Sequence, residues 1–338
     1  ICYLTWPRGP GFQYLMKRMT MTDHRIFKEK ATIAEVQTPT PDSCLMFFES
    51  PQIAGSIKPG QFVNVLPPSS GEQFESYYHI VSEKQGRPGK VKQQQSDVAL
   101  LRRPFSLHGI QPSPQGPPSK FSILFRIKGQ GTQLISQRKP GEILDILGPL
   151  GHPLPLPFSA KQPVFIVAGG FGIAPLIPFA EMVVKLGHPV YFMWGIEEEQ
   201  NLLFQITPQT NRFATLSEIG IDLLARQGII SLISIRLGGQ GAFTGTVIEL
   251  FDQFLTLETS LHHEPPVIYT CGPEMMMKMV TERARTKNWR CRVSMEKYMA
   301  CGLGACLSCV CQMKKDNSFH YLRTCTDGPS FWGENIIW

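Results

Sequence analysis

The sequence predicts a chain of mixed β and α/β class, in which an antiparallel β-barrel precedes a parallel-sheet domain and a small cysteine-rich domain. Three observations support this order. Short β-rich runs separated by turn residues fill the first half of the chain, as in small barrels. Apolar strands alternate with helical stretches from about residue 161 onwards. Four cysteines then fall within the eleven residues 301–311.

The composition is that of an ordinary globular protein. Of the 338 residues, 42% are hydrophobic and 18% charged, which excludes fibrous and fully disordered classes. The net charge is +6, but no run of lysine and arginine is dense enough to indicate nucleic-acid binding. Nine cysteines in so large a chain favour a metal site over a disulfide framework. Since no signal peptide is visible, we expect a cytoplasmic protein with reduced thiols.

Two segments bear on whether the chain crosses a membrane and on where its folded part begins. The uncharged stretch 162–180 is about long enough to span a bilayer, but its prolines and glycines are typical of a strand, a turn and a helix start. We therefore expect no membrane segment. Residues 1–24 are predicted to be an extension, either disordered or an artefact of the assigned start of the gene.

Residues 25–157 are predicted to form the antiparallel barrel. Lys-Pro-Gly turns at 58–60 and 139–141 separate runs that are rich in β-forming residues. The predicted strands include 31–36, 44–48, 61–65 and 121–126. Three polar or proline-rich segments, at 67–76, 82–97 and 111–119, are predicted to be surface insertions.

Two short segments of the barrel could bind a cofactor. In Arg103-Pro104-Phe105-Ser106 the arginine can pair with a pyrophosphate, the aromatic ring can lie against a flavin, and the hydroxyl can reach a ring nitrogen. The glycine turn at 128–132 offers backbone amides and a hydroxyl to a phosphate. The alternative is a basic strand edge beside an ordinary glycine turn.

Residues 158–290 are predicted to form the α/β domain. A strand at 164–168, a helix at 176–186 and a strand at 190–194 form a βαβ unit, and further strands are expected at 229–235 and 267–270. A helix is expected at 274–286. This alternation predicts nucleotide binding at the carboxyl ends of the strands.

The first candidate nucleotide segment is the turn that carries Gly169, Gly170 and Gly172. Glycines between a parallel strand and a helix let a pyrophosphate approach the backbone and the helix start. The turn lacks the G-x-G-x-x-G pattern of the dinucleotide fingerprint, so another nucleotide fold is needed. Tight packing of a helix on a sheet is the alternative reason for these glycines.

The second candidate segment is Cys271-Gly272-Pro273, at the end of a predicted strand. Cys271 is placed to face a ligand in the crevice of the sheet and is the candidate catalytic residue, with a buried structural cysteine as the alternative. After the second strand, the acidic run 197–199 would repel an adenosine 2′-phosphate and so favours NAD over NADP. Solvated charge at a helix start is the competing interpretation.

Residues 291–338 form a cysteine- and glycine-rich section too short for a core of its own. Cys301, Cys306, Cys309 and Cys325 follow the C-x4-C-x2-C…C spacing of plant-type 2Fe–2S ligands. Zinc is the alternative, but zinc sites usually pair two short knuckles and the second is missing. Cys311 is two residues past the third cysteine and could exchange with a ligand, although a buried core residue is favoured.

Taken in order, these motifs resemble the ferredoxin reductase family and, within it, the electron-transfer subunits of class 1B, NAD-dependent dihydroorotate dehydrogenases. The resemblance covers about residues 25–331. The matching segments are RPFS at 103–106, GQGT at 129–132, GEILDILGPLG at 141–151, GGFGIAPL at 169–176, YTCGP at 269–273, EKYMACGLGACLSC at 296–309 and CTDGP at 325–329.

The resemblance implies a flavin barrel, an NAD domain and a 2Fe–2S domain, in that order. It implies that FAD is held by the segment 103–106, by Leu124, Phe125 and Arg126, and by Gly131 and Thr132. It assigns the four cluster ligands to the cysteines named above. Phe105 stands where the family often has an aliphatic residue, and Glu197 stands near a position where it often has an arginine.

The resemblance also implies a partner, an FMN-containing dihydroorotate dehydrogenase catalytic subunit, in a heterotetramer with two copies of each chain. Electrons would pass between that FMN and NAD through the cluster and FAD, in pyrimidine synthesis. One alternative is an NAD(P)H-dependent flavin and iron–sulfur oxidoreductase with another partner, such as ferredoxin. A second alternative is a zinc or redox-sensing binding module. No membrane or nucleic-acid partner is expected.

Overall fold

The structure, a computed structural model, describes residues 25–68, 101–113, 116–258, 264–316 and 318–338. The predicted extension 1–24 and nearly all of the predicted insertions at 67–76 and 82–97 lie outside the described residues. The described chain contains a closed six-stranded barrel, a seven-stranded sheet flanked by helices, and a cysteine loop followed by a two-stranded hairpin. The predicted fold class is confirmed.

The barrel is antiparallel throughout, with the strand order β1-β2-β5-β4-β3-β6. All four predicted strand runs are present. Its elements are β1 (Phe27–Gln37), β2 (Ser43–Glu49), helix α1 (Pro51–Ser56), β3 (Phe62–Val65), β4 (Arg103–Ser113), β5 (Gly116–Arg126), helix α2 (Gln130–Ser136) and β6 (Ile143–Leu150).

The expected insertion at 111–119 is corrected by the structure. Residues 111–113 belong to β4 and residues 116–119 to β5, and Ser113 pairs with Gly116. Proline content suggested a loop, but Pro112 and Pro117 lie at the exposed ends of these two strands, where missing backbone donors are tolerated.

Strand β3 is buried on both of its faces, which is unusual for a small barrel. Val63 and Val65 point into the barrel core, as the alternation of a strand requires. Phe62 and Asn64 point the other way and are nevertheless 4% and 1% exposed. Their outward face is covered by the C-terminal domain, in which the cysteine loop lies.

The α/β domain has a parallel sheet with the order β12-β11-β8-β7-β13-β14, and β17 adds an antiparallel strand at its edge. Its elements are β7 (Val164–Gly169), α3 (Leu176–Lys185), β8 (Val190–Ile196), β9 (Ile206–Pro208), β10 (Ile219–Ile221), α4 (Asp222–Ala225), β11 (Ile230–Ile235), β12 (Phe243–Thr244), α5 (Val247–Leu257), β13 (Val267–Cys271), α6 (Glu274–Thr286), β14 (Arg290–Ser294) and β17 (Ser330–Trp332).

The chain reverses direction across the sheet between β7 and β13. The strands after β7 are added on one side, and those from β13 onward on the other. This arrangement creates the crevice at which α/β sheets bind ligands, at the carboxyl ends of the two central strands. Helices α3 and α4 cover one face of the sheet, together with barrel residues Leu45 and Leu124, and α5 and α6 cover the other.

The sequence predictions omitted the β9–β10 hairpin and helix α5. The start of α5 carries a capping box, in which the hydroxyl of Thr246 accepts from the amide of Glu249 at 3.3 Å and the Glu249 carboxylate accepts from the Thr246 amide at 2.7 Å. The T-x-x-E spacing before an apolar run was therefore the signal that could have located this helix.

The C-terminal domain is connected to the parallel sheet at both ends. After β14 come the cysteine loop, the hairpin of β15 (Val310–Lys315) and β16 (Ser318–Arg323), and then β17, which pairs with β14. The sheet therefore continues past residue 290, where the sequence places a domain boundary. No helix in the described ranges is long and apolar enough to cross a bilayer.

His108 on β4 predicts a pH dependence of stability. The residue is 9% exposed, its Nδ1 lies 3.1 Å from Ser122 Oγ, and burial lowers its pKa from 6.5 to about 4. The unfolded chain therefore binds a proton below about pH 6.5 that the folded chain excludes until about pH 4. The contribution of neutral His108 to the free energy of unfolding is fully present above about pH 6.5. It is lost as the pH falls from there towards about pH 4.

We expect the free energy of unfolding to fall by about 1.5 kcal/mol more in the wild type than in His108→Gln between about pH 6.5 and pH 5. Urea unfolding of both proteins at the two pH values measures this difference. Equal pH dependence in the two proteins would contradict the assignment.

Candidate functional site

The two barrel segments predicted to bind FAD meet in the structure. Arg103 begins β4, and Gly131 lies in the first turn of α2. A Cβ atom on Gly131 would lie 2.6 Å from Arg103 Nε and 2.9 Å from its Cζ. The missing side chain therefore makes room for the guanidinium, which also donates to the carbonyl oxygen of Leu101 at 2.6 Å. This cradle fits a charged phosphate group, since a guanidinium offers a planar fork of donors.

The remaining residues of the RPFS segment lie on two faces of β4. Phe105 faces the barrel core, is 7% exposed, and packs on Phe125 with ring centroids 4.6 Å apart. Pro104 and Ser106 face outward, opposite Asn64 and Phe62 respectively, and both are partly exposed. A ligand can therefore reach the proline and the serine hydroxyl, whereas the Phe105 ring is packed within the protein.

Three other predicted FAD residues already have partners within the protein. Leu124 is buried against the α/β domain, and Arg126 is exposed with its Nε 2.7 Å from Asp42 Oδ2. The Thr132 hydroxyl accepts from the amides of Lys128 and Gly129 at 3.0 and 3.1 Å. Thr132 therefore stabilises the glycine turn itself.

The two predicted nucleotide segments also meet, at the crevice between β7 and β13. A Cβ atom on Gly172 would lie 2.3 Å from the Cys271 carbonyl oxygen, and one on Gly169 would lie 2.7 Å from Pro273 Cδ. Gly272 has a φ of +150°, and a Cβ atom on it would lie 2.9 Å from the backbone nitrogen of Gly169. Close packing between the two segments thus accounts for these three glycines.

Gly170 differs from its neighbours. It has a φ of +52°, and a Cβ atom built on it would meet nothing within 4 Å. Its carbonyl oxygen accepts from Trp194 Nε1 at 3.0 Å, which orients this part of the turn. Open space beside a left-handed glycine at the end of a parallel strand fits the approach of a pyrophosphate.

Cys271 ends β13 at this crevice and is 1% exposed. Burial, together with the charge of Glu296, raises the pKa of its thiol well above 9.0. The side chain therefore remains a neutral thiol at pH 7. Desolvation in turn raises the pKa of Glu296, and Lys128 acts in the opposite direction.

Glu296 is a candidate site residue that the sequence reasoning missed. It is electrostatically coupled to Lys128 of the barrel and Cys271 of the α/β domain, and it precedes the cysteine loop. This carboxyl is solvent-exposed, and its charge acts on groups in two other parts of the chain. Its place in the matched segment 296–309 was the available signal.

The acidic run after β8 is less negative than the sequence suggests. Arg236 Nε donates to both carboxylate oxygens of Glu197 at 2.7 Å, and this hydrogen bond lowers the pKa of Glu197. The ion pair partly neutralises the charge that was expected to repel a 2′-phosphate. The assignment of NAD therefore rests on the similarity to NAD(+)-dependent electron transfer subunits and not on this charge.

The four predicted cluster cysteines lie in one loop and the turn that faces it. Cys309 and Cys325 are 2% and 1% exposed and pack against Phe62 and Leu150 of the barrel wall. Cys301 is partly exposed, and Cys306 is exposed. One side of the site is thus dry and faces the barrel, and the other side faces solvent.

The sulfur atoms are arranged as two pairs. Cys301 contacts Cys306, and Cys309 contacts Cys325, each through the side chains. Within the described ranges, no three His, Cys, Asp or Glu side chains converge as ligands of a single metal ion. The two thiol pairs are also near each other, because Cys301 contributes to the raised pKa of Cys325, and two neighbouring pairs suit a cluster of two irons, each taking two thiolates.

The loop also directs donors at these sulfurs. The amide of Leu303 donates to Cys301 Sγ at 3.3 Å, and a backbone hydrogen bond from Gly304 lowers the pKa of Cys325 against a larger rise from burial. The hydroxyl of Ser308 lies 3.1 Å from Cys306 Sγ and lowers the pKa of that thiol to about 6. Donors of this kind stabilise the thiolates that bind iron.

Left-handed backbone conformations produce this curled loop. Gly302 and Gly304 have φ values of +71° and +82°, and Leu307 has a φ of 58°. Glycine adopts such conformations without a steric penalty. The C-x4-C segment can therefore turn its amides inward around a small cluster.

Cys311 does not belong to the site. It is 3% exposed, packs in the core shared with α5 and α6, and its Sγ lies 3.2 Å from Thr324 Oγ1. Cys44 and Cys291 are buried in the barrel and sheet cores. The structure supports the interpretation of Cys311 as a core residue.

Residues 296–337 match the family described as the iron-sulfur cluster binding domain of dihydroorotate dehydrogenase B. The chain is 33% identical over 238 residues to the dihydroorotate dehydrogenase B (NAD(+)) electron transfer subunit of Caldanaerobacter subterraneus subsp. tengcongensis, which covers 70% of this chain and 81% of that protein. The subunit of the same name from Bacillus cereus (strain B4264) is 29% identical over 278 residues, 79% of this chain and 95% of that protein.

Two solved structures share the fold. An NADH-dependent reduced ferredoxin-NADP oxidoreductase gives a TM-score of 0.68 at 22% identity, over 92% of this chain and 90% of that chain. A ferredoxin NADP+ reductase from Neisseria gonorrhoeae with bound FAD and NADP gives a TM-score of 0.52 at 17% identity, over 77% of this chain and 91% of that chain.

The barrel, the parallel sheet and the paired cysteines define a flavin and iron–sulfur oxidoreductase with the ferredoxin reductase fold, with FAD, NAD and a 2Fe–2S cluster as cofactors. The resemblance stated from the sequence motifs is confirmed. The chain belongs to the family of dihydroorotate dehydrogenase B electron transfer subunits.

Proposed function

We propose that this chain carries electrons between NAD and an FMN-containing dihydroorotate dehydrogenase catalytic subunit, in a heterotetramer with two copies of each. The observation that carries the proposal is the contact between the barrel wall and the cluster cysteines, where Phe62 and Leu150 pack on Cys309 and Cys325. Two redox sites separated by a single buried wall suit direct electron transfer. The eight described cysteines are all free, as expected in the cytoplasm.

We assign the domains as 25–157 for FAD, 158–290 for NAD and 291–338 for the cluster. In this assignment Arg103 holds the pyrophosphate of FAD beside Gly131, and Pro104 and Ser106 line the flavin. Gly170 gives the NAD pyrophosphate access to the backbone, and Cys271 lies at the nicotinamide. The cluster ligands are Cys301, Cys306, Cys309 and Cys325.

Bound FAD exchanges two electrons with the nicotinamide and the cluster transfers them singly, so this chemistry belongs to the cofactors. The chain's own residues bind and orient. Cys271 remains protonated and uncharged beside the crevice.

The catalytic subunit is proposed to bind the solvent side of the cluster. Large apolar side chains are exposed there, in contrast to the dry side that faces the barrel. We call this surface the docking face, and it consists of Tyr298, Leu303, Leu307, Phe319 and Tyr321, which are between 48% and 91% exposed. A cavity of about 560 Å³ lies within it, lined in part by Leu307 and Tyr321. Apolar area around the exposed cysteine suits a partner that has to bring its own cofactor close.

The experiment is co-expression with an FMN-binding dihydroorotate dehydrogenase, followed by measurement of mass and of dihydroorotate-dependent NAD reduction. We expect a complex with two copies of each chain and activity only when both are present. Leu307→Asp should weaken the complex by at least about tenfold, because a buried unpaired charge is costly at an interface. Ile143→Asp, on an equally exposed barrel residue, is the matched control.

If the chain does not bind this partner but reduces a ferredoxin efficiently, ferredoxin would replace dihydroorotate dehydrogenase as the proposed partner. Equal loss of binding in Leu307→Asp and Ile143→Asp would remove the docking face from the proposal.

A further inference from the structure

Asn64 connects β3, the neighbour of the strand that carries the RPFS segment, to the cysteine loop. It lies on β3 directly opposite Pro104, and it is 1% exposed. Its Nδ2 donates to the carbonyl oxygen of Cys301 at 3.3 Å. A neutral polar side chain of the barrel thus holds the backbone of the first cluster cysteine.

The position of Asn64 in β3 makes its polarity unexpected. It shares its outward face with Phe62, which packs on the cluster cysteines, while Val63 and Val65 fill the barrel core. An aliphatic residue at position 64 would extend the apolar surface that Phe62 begins. Burial of an amide is unfavourable unless the amide is hydrogen-bonded, so the hydrogen bond to the loop offsets part of the cost of placing Asn64 here.

Gly302 is matched to Asn64. A Cβ atom on Gly302 would lie 2.1 Å from Asn64 Nδ2, and the φ of this glycine is +71°. Any side chain at position 302 would push the amide away from the loop. The contact therefore requires both an amide at position 64 and a glycine at position 302.

The other half of the amide is unsatisfied. Asn64 Oδ1 is buried and has no hydrogen-bond donor among the described residues. Buried acceptors without donors are rare in folded proteins. This oxygen lies on the outward side of β3, the side that carries Pro104 and Ser106 on the neighbouring strand, and it indicates a site that is not completed by the protein alone.

The hydrogen bond to Cys301 acts on the cluster through the loop. Immediately after Cys301 the backbone turns at Gly302, and the amide of Leu303 then donates to Cys301 Sγ at 3.3 Å. Fixing the carbonyl oxygen of Cys301 fixes the start of this turn. Donors to cluster sulfurs favour the reduced, more negative state and raise the reduction potential.

We propose that Asn64 is a positioning residue that holds the Cys301–Leu303 turn against β3 and thereby keeps the cluster potential high enough for electron exchange with the flavin. The inference rests on the proposed assignment of FAD and cluster residues. It does not depend on which catalytic subunit binds the chain.

The test is an EPR-monitored redox titration of the purified chain carrying FAD and the cluster. We expect Asn64→Leu to keep both cofactors, to alter the EPR spectrum, and to shift the potential downward. At the wild-type midpoint, the ratio of reduced to oxidised cluster should fall at least about threefold. Asn64→Asp, which keeps the shape of the side chain but removes the donor and adds charge, should cause a larger fall.

Val63→Ala is the control, because it removes a buried methyl pair from the same strand but on the face that points into the barrel. It should lower stability and leave the potential unchanged. Loss of the cluster with retention of FAD in either Asn64 variant also supports the proposal. An unchanged titration in both variants, or loss of FAD together with the cluster in both, would overturn it. Absence of a reducible cluster in the wild type would instead refute the proposed function.

Discussion

Replacing Cys309 with serine is expected to abolish the 2Fe–2S cluster while FAD remains bound. Cys309 is buried, contacts Cys325, and packs on Phe62 and Leu150 of the barrel wall. A serine hydroxyl is a much weaker ligand for cluster iron than a thiolate, so we expect cluster occupancy to fall at least about tenfold. Iron, acid-labile sulfide and the EPR signal of the reduced protein measure the occupancy.

The matched control for this experiment is Cys311→Ser. Cys311 lies two residues further along and is equally buried, but its Sγ faces Thr324 Oγ1 and the core below the sheet. This variant should retain iron and the EPR signal. Equal iron loss in both variants would mean that burial in this region, and not ligation, determines cluster content.

Replacing Arg103 with alanine is expected to weaken FAD binding by about 10- to 100-fold, the effect of losing charge-assisted hydrogen bonds to a phosphate. The structure sets the guanidinium against Gly131, where it has room only because residue 131 lacks a Cβ atom. Gly131→Ala should therefore displace Arg103 and weaken FAD binding in the same direction. Titration of the apoprotein with FAD, followed by flavin fluorescence, gives both dissociation constants.

Arg138→Ala is the control for Arg103, since Arg138 is also a barrel arginine but pairs with Glu142 at 3.7 Å. It should change FAD affinity less than about twofold, as expected for a surface ion pair. If Arg103→Ala and Arg138→Ala have equal effects, the site for the FAD pyrophosphate lies elsewhere.

Features carried by neighbouring residues were predictable from the sequence. The cysteine spacing, the glycine turn after an apolar strand, and helix α6 over residues 274–286 all depend on local chemistry, and the structure contains the turn and the helix as expected. The approach of Arg103 to Gly131 joins two segments that the sequence had named separately. The meeting of Gly172 with Cys271 does the same for the nucleotide crevice.

Features that depend on packing between distant segments were not predictable. In the run 61–65 nothing distinguishes a strand with one buried face from a strand with two, so the role of Asn64 could not be anticipated. The ion pair between Glu197 and Arg236 likewise depends on β8 and β11 being neighbours. For Phe105, the side of β4 on which the ring would lie depended on the register with β3.

The cysteine loop is held at both ends by strands of the parallel sheet. The segment with the four cysteines leaves the sheet at β14 and returns to the same sheet at β17, while the amide of His152 donates to the carbonyl oxygen of Gly328 at 2.7 Å. Topologically this segment is therefore an insertion between two paired strands, and not an appendage on a linker. In the proposed assignment, the flavin and the cluster lie on parts of the chain that are joined by paired strands and direct contacts, so we expect electron exchange between them without a swinging domain.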